Sequence, residues 1–114
     1  MQRDQINAFC RALPATTHVV QWGGSDVWKV GGKVFAIVSA EGVSFKTSEL
    51  MFEVLGHEEG IRPAPYLASR GFKWLQHYGP PGGLPDAELG QALETSYEMI
   101  RDALPRKTRA ELGV

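Results

Sequence analysis

The spacing of apolar residues along this chain changes twice, from helical to alternating and back to helical. Ile6, Phe9, Cys10 and Leu13 recur at the interval of one helical face, which predicts a helix over residues 4–13 that Pro14 ends. Short alternating segments follow at 18–22, 26–30, 33–40 and 43–47, separated by Gly23-Gly24-Ser25, Gly31-Gly32 and Glu41-Gly42. Glycine supplies the positive φ that tight hairpins need, and connections this short join only antiparallel neighbours. The helical period then returns. Ser48 is placed to cap a helix over 48–55 that Gly56 closes.

Residues 57–71 read as a loop broken by Pro63, Pro65 and Gly71, and residues 72–78 as a fifth strand. After the turn Gly79-Pro80-Pro81-Gly82-Gly83, a long helix is predicted over 86–104. Asp86 is its expected N-cap, and Leu89, Leu93, Tyr97, Ile100 and Leu104 form its apolar face. Gly90 inside it costs about 1 kcal/mol relative to alanine, which points to close packing there. Pro105 opens a terminal segment, 106–112, of one or two helical turns.

The turns also predict which side chains share a face. A two-residue turn at Gly31-Gly32 pairs Trp28 with Phe35, and one at Glu41-Gly42 pairs Val38 with Phe45. One face then holds Val27, Val34, Ala36, Val38, Ala40, Val43 and Phe45, with Lys29 as the exception, and suits the helices. The other holds Asp26, Trp28, Val30, Lys33, Phe35, Ile37, Ser39, Ser44 and Lys46. Large apolar groups interleaved with lysines mark it either as a recognition surface or as a face covered by another part of the chain. The expected fold class is therefore α+β, a two-layer structure with an antiparallel meander packed by helices on one face.

Composition narrows the class further. With 114 residues, 43% hydrophobic and 22% charged, the chain reads as one ordered domain over residues 1–114. The single cysteine forms no internal disulfide, the N-terminus does not resemble a secretory leader, and the longest apolar stretch, 34–38, is far too short for a bilayer. A cytoplasmic protein without a membrane partner is the expectation. A net charge of −1 means that any nucleic-acid binding must rest on a local patch.

No enzyme layout is legible. Cys10 lies on an apolar helical face and reads as core, while His18, His57 and His77 match no zinc spacing. Gly23-Gly24 and Gly31-Gly32 lead into strands instead of a helix N-terminus, which speaks against a nucleotide pocket. Glu94, Glu98 and Asp102 make one acidic stripe on the last long helix, a side from which phosphate is repelled. No catalytic residue, metal or cofactor is expected.

Several stretches resemble the MmcQ/YjbR family: residues 27–36 (VWKVGGKVFA), 43–46 (VSFK), 60–67 (GIRPAPYL), Trp74 after a basic residue, 84–89 (LPDAEL), Ser96-Tyr97 and 104–107 (LPRK). The resemblance covers most of the chain in order. It implies a frataxin-like, or CyaY-like, α+β fold and a DNA-binding role through a double-wing motif, with wings around Gly31-Gly32 and Glu41-Gly42. It brings no catalytic set. Iron handling in frataxins is associated with an acidic ridge on the first helix, where this chain offers only Asp4, so no iron site is expected.

The leading expectation is a non-enzymatic domain that contacts DNA. Phosphates would meet Lys33, Lys46, Arg70 and Lys73, and Trp28 and Phe35 would pack on sugar or bases. One alternative is a protein partner or homodimer on the same face. Another is a small-molecule pocket near Tyr66, Trp74 and His77.

Overall fold

The computed structural model describes residues 1–114 as α1 (Arg3–Ala12), β1 (Thr16–Gln21), β2 (Ser25–Val30), β3 (Lys33–Ser39), β4 (Gly42–Lys46), α2 (Glu49–Leu55), β5 (Ile61–Pro63), β6 (Trp74–His77), α3 (Asp86–Asp102) and α4 (Arg106–Leu112). All strands join one antiparallel sheet in the order β1-β2-β3-β4-β6-β5. The first four strands are the expected meander. The chain then crosses through α2 to the far edge, lays down β5, and returns as β6 between β5 and β4. β5 escapes the sequence pattern because it is only three residues long and ends in Pro63. An edge strand tolerates a residue without an N–H. No helix is long and apolar enough to cross a membrane.

The meander differs from its predicted register in two places. The β3–β4 turn is Ala40-Glu41, with Ser39 opposite Gly42, so the pairing is displaced by two residues and the faces are kept. The β2–β3 ladder pairs Val30 with Lys33 and Lys29 with Val34 as expected, then skips Phe35 and pairs Trp28 with Ala36. This is a β-bulge, one extra residue on β3. Because side chains alternate, one extra residue transfers the rest of the ladder to the opposite face. Val27 and Asp26 therefore oppose Ile37 and Val38.

The helix-facing side consequently carries Trp28, Ala36, Phe45 and Leu75 in one transverse row, and Val38, Val43, His77 and Ile61 in the next. The apolar members of both rows join the core with Ile6 and Cys10 of α1 and Leu89, Leu93 and Tyr97 of α3. The opposite face carries the row Val19, Val27, Ile37, Ser44, Gln76 and Arg62. None of these six belongs to the core cluster. Trp28, Val30 and Phe35 thus sit under the helices, and Val27, Lys29 and Val34 on the far side. For these residues the predicted faces are reversed.

Three contacts fix the helices on the sheet. Tyr97 donates its hydroxyl to Pro14 O at 2.6 Å, tying α3 to the exit of α1, and its ring meets Phe35 edge-on at 5.4 Å. Gly90 faces Phe9, whose ring would lie 3.2 Å from an added Cβ, which accounts for a glycine in mid-helix. Ser96 is fully buried, accepts from Lys46 N at 2.9 Å and donates to Phe35 O at 2.7 Å. It bridges β3 and β4 one position beyond their last ladder pair, Ala36 with Phe45, at the bulged Phe35. Ser48 caps α2 by accepting from Met51 N, as expected. Pro85, not Asp86, is the N-cap of α3.

Candidate nucleic-acid interface

Strand directions sort the charged residues. The C-terminal ends of β2, β4 and β5 and the N-terminal ends of β1, β3 and β6 share one end of the sheet. That end presents Lys29, Lys33, Lys46, the β5–β6 connection with Arg70 and Lys73, and, after α3, Arg106 and Lys107. The other end presents Glu41, Glu58, Glu59, Asp86 and Glu88. A net charge of −1 thus conceals an uneven distribution: one end, the basic pole, is rich in cations, although Glu49, Asp102 and Glu111 also lie there, and the other, the acidic pole, is rich in carboxylates.

The basic pole is largely unneutralised. Arg101 pairs with Asp102 at 2.9 Å, Arg109 reaches the same carboxylate at 3.6 Å, and Arg3 pairs with Asp26 at the opposite end. Lys29, Lys33, Lys46, Arg70, Arg106 and Lys107 enter no ion pair. Asp102, part of the predicted acidic stripe, is held below the usual carboxylate range by the Arg101 hydrogen bond and the guanidinium charges around it. Exposed pairs of this kind contribute little stability, but they keep those arginines occupied.

The six predicted contact residues divide. Trp28 is 1% exposed and Phe35 is 0% exposed, both within the core, so neither can reach a ligand. The bulge at Phe35 is the reason. Lys33 is exposed beside the Gly31-Gly32 hairpin. Lys46 opposes Trp74 across β4–β6, and Thr47 N donates to Lys73 O, which brings Lys46 and Lys73 together. The Lys73 ammonium lies 4.9 Å from the Phe52 ring centre. Arg70 is exposed in the connection leading to Lys73. The four cations therefore share one end of the sheet.

The predicted pair of wings does not. Consecutive hairpins of a meander point in opposite directions, so Gly31-Gly32 lies at the basic pole and Ala40-Glu41 at the acidic one. The other connection that turns at the basic pole is the β5–β6 one, residues 64–73, across β4 from the Gly31-Gly32 hairpin. It carries Tyr66 at 85% exposure and Phe72 at 53% exposure next to Arg70 and Lys73. The sequence pattern points elsewhere for both: Tyr66 groups with a small-molecule pocket and Phe72 with the start of the fifth strand. A basic loop with interleaved aromatics was the available signal. The Gly31-Gly32 hairpin is braced from below. Both glycines have positive φ, 58° and 78°, and a Cβ on Gly31 would lie 2.6 Å from a Leu104 methyl.

Trp28 belongs to a polar network that clamps α1 to β1 and β2. Its Nε1 donates to Asn7 Oδ1 at 2.9 Å, and Asn7 Nδ2 donates to Asp26 Oδ2 at 2.9 Å. Asp26 also accepts from Arg3 Nε at 2.9 Å and meets His18 Nε2 at 2.8 Å. Burial alone would raise the Asp26 pKa, but the hydrogen bonds from His18, Asn7 and Arg3 outweigh it and hold it at about 2. Burial pushes the Cys10 thiol up to about 12, which leaves it without nucleophilic character near neutrality.

Tyr66, Trp74 and His77 do not converge. Trp74 and His77 alternate along β6 onto opposite faces, and neither main cavity is lined by Tyr66 or Trp74. His77 Nε2 instead accepts from Leu84 N at 2.9 Å. Burial, then the positive N-terminus, depress its pKa. A depressed histidine favours the fold while neutral, so its contribution is complete above pH 6.5 and falls as the pH drops below that. Asp26, depressed from 3.8, keeps its full contribution above that value and loses it as the pH approaches about 2. Urea midpoints are therefore expected to fall in two steps on acidification. His77→Gln should remove the step below pH 6.5, and Asp26→Asn the step below pH 3.8.

No curated protein matches this chain. The model of the YjbR family matches residues 11–99, from the C-terminal end of α1 to the last turn of α3, and includes the bulged strand, the β5–β6 connection and Ser96. On that match the chain belongs to the YjbR family.

Proposed function

We propose that this domain is a binding domain, not an enzyme, and that its basic pole binds DNA. The observation that carries this reading is the gathering of unpaired cations at one end of the sheet. Phosphates meet Lys33 on the Gly31-Gly32 hairpin and Arg70 and Lys73 on the β5–β6 connection, with Lys46 between them. Tyr66 and Phe72 take the stacking role that Trp28 and Phe35 cannot fill. The resemblance to double-wing, CyaY-like proteins agrees with this reading, with the second wing moved from the β3–β4 hairpin to the 64–73 segment. The acidic pole orients the domain on a polyanion.

The test is fluorescence anisotropy with labelled duplex and single-stranded DNA at low salt, repeated as salt is raised. Binding is expected to weaken steeply with salt, and each of Lys33→Ala, Arg70→Ala and Lys73→Ala should lower the slope of log K against log salt by about 1. Tyr66→Ala with Phe72→Ala should weaken single-strand binding more than duplex binding. No binding at low salt, or a triple cation variant that binds like the parent, overturns the proposal.

A further inference from the structure

α2 has more apolar surface than the monomer covers. Its sequence, ELMFEVL, is apolar on most of its circumference, yet none of its residues is buried. Phe52 and Leu55 reach the core, while Leu50 remains 70% exposed and Val54 53% exposed. A helix apolar nearly all round is normally enclosed. Beside this ridge runs a groove of about 410 Å³ between α2 and α3, whose lining includes Met51, Leu55, Leu84 and Ala92. A ridge next to a groove is the self-complementary shape that a two-fold interface requires, because each copy presents both elements to the other.

The charges around α2 select the occupant. Lys46 precedes its N-terminus, at the basic pole, and enters no ion pair. Glu58 and Glu59 follow its C-terminus, at the acidic pole, also unpaired and exposed. An antiparallel copy of α2 sets the Leu50–Val54 ridge of each chain against Met51 and Leu55 of the other, and directs Glu58 of each towards Lys46 of its partner. A parallel copy would oppose like charges. We infer that α2 is the contact of a two-fold homodimer in which the Leu50–Val54 ridge of each chain enters the other's α2–α3 groove. This surface adjoins the basic pole and shares Lys46 with it, but the inference rests on the α2 ridge and groove and does not depend on the DNA-binding reading.

Sedimentation velocity from micromolar to millimolar protein tests it. A dimer fraction that rises with concentration is expected. Leu50→Lys with Val54→Lys, both at exposed positions and checked for unchanged unfolding, should raise the dimer dissociation constant by tenfold or more. Lys46→Glu and Glu58→Lys should each weaken the dimer, and their combination should restore it, since the swapped charges meet again across the two-fold axis. A monomer at every concentration, a dimer indifferent to the Leu50 and Val54 changes, or a charge-swapped pair that stays weakened overturns the inference.

Discussion

Trp28→Ala is expected to destabilise the protein by about 3–5 kcal/mol, the range for removing a large buried aromatic side chain. For a domain of this size that is a loss of roughly 10–25 °C in Tm. The indole lies in the core between α1 and the sheet, 4.6 Å from the His18 ring centre and beneath the Arg11 guanidinium. Truncation opens a cavity there and leaves Asn7 Oδ1 without its donor. Trp28→Phe keeps most of the volume and should cost less, with the unpaired Asn7 as its main penalty. Equilibrium urea unfolding measures both. Any loss of DNA binding in Trp28→Ala should then track the unfolded fraction and vanish where the variant is fully folded. A variant that remains as stable as the parent yet binds DNA poorly would return Trp28 to the interface and contradict the fold given above.

Ser96→Ala should be nearly as damaging although it deletes a single oxygen. The hydroxyl donates to Phe35 O and accepts from Lys46 N, two backbone groups just beyond the last β3–β4 ladder pair, Ala36 with Phe45. Removing it leaves both without a partner in a buried place, at about 1–3 kcal/mol for each group, so a loss of about 2–4 kcal/mol is expected. The cavity left by one oxygen adds little. Amide hydrogen exchange localises the effect: the Lys46 amide should lose protection beyond what the global loss explains, while Val38 and Val43 follow the global value. A loss below about 0.5 kcal/mol would mean that water or a relaxed β3 replaces the hydroxyl, and the proposed role of Ser96 in bridging β3 and β4 would fail.

The basic residues of the candidate site were legible as residues but not as a site. Lys33, Lys46, Arg70 and Lys73 can be picked from the sequence as cations near turns. Their meeting at one pole depends on β6 pairing with β4, which inserts the returning strand inside β5 and brings Lys73 beside Lys46. The aromatic partners were misassigned for a more specific reason. Trp28 and Phe35 were placed on the outer face by counting back from Gly31-Gly32, and the count is valid only while the ladder stays regular. Lys29, predicted to snorkel from the helix side, lies half-buried on the opposite face of the sheet.

The sequence by itself determined the order of the elements, the antiparallel meander, the Ser48 cap and the apolar face of α3. These follow from spacing, turn residues and capping chemistry, all of which act within a few residues. The face assignment of β2 lay beyond it. A one-residue irregularity reverses every position past it, and the carbonyl of the bulged Phe35 is met by a hydroxyl 61 residues away, Ser96 on α3. The tertiary structure alone decided that Trp28 and Phe35 are core, that the cations form one pole, and that α2 keeps an uncovered ridge. Each of these is set by contacts between segments distant in sequence, which periodicity does not record.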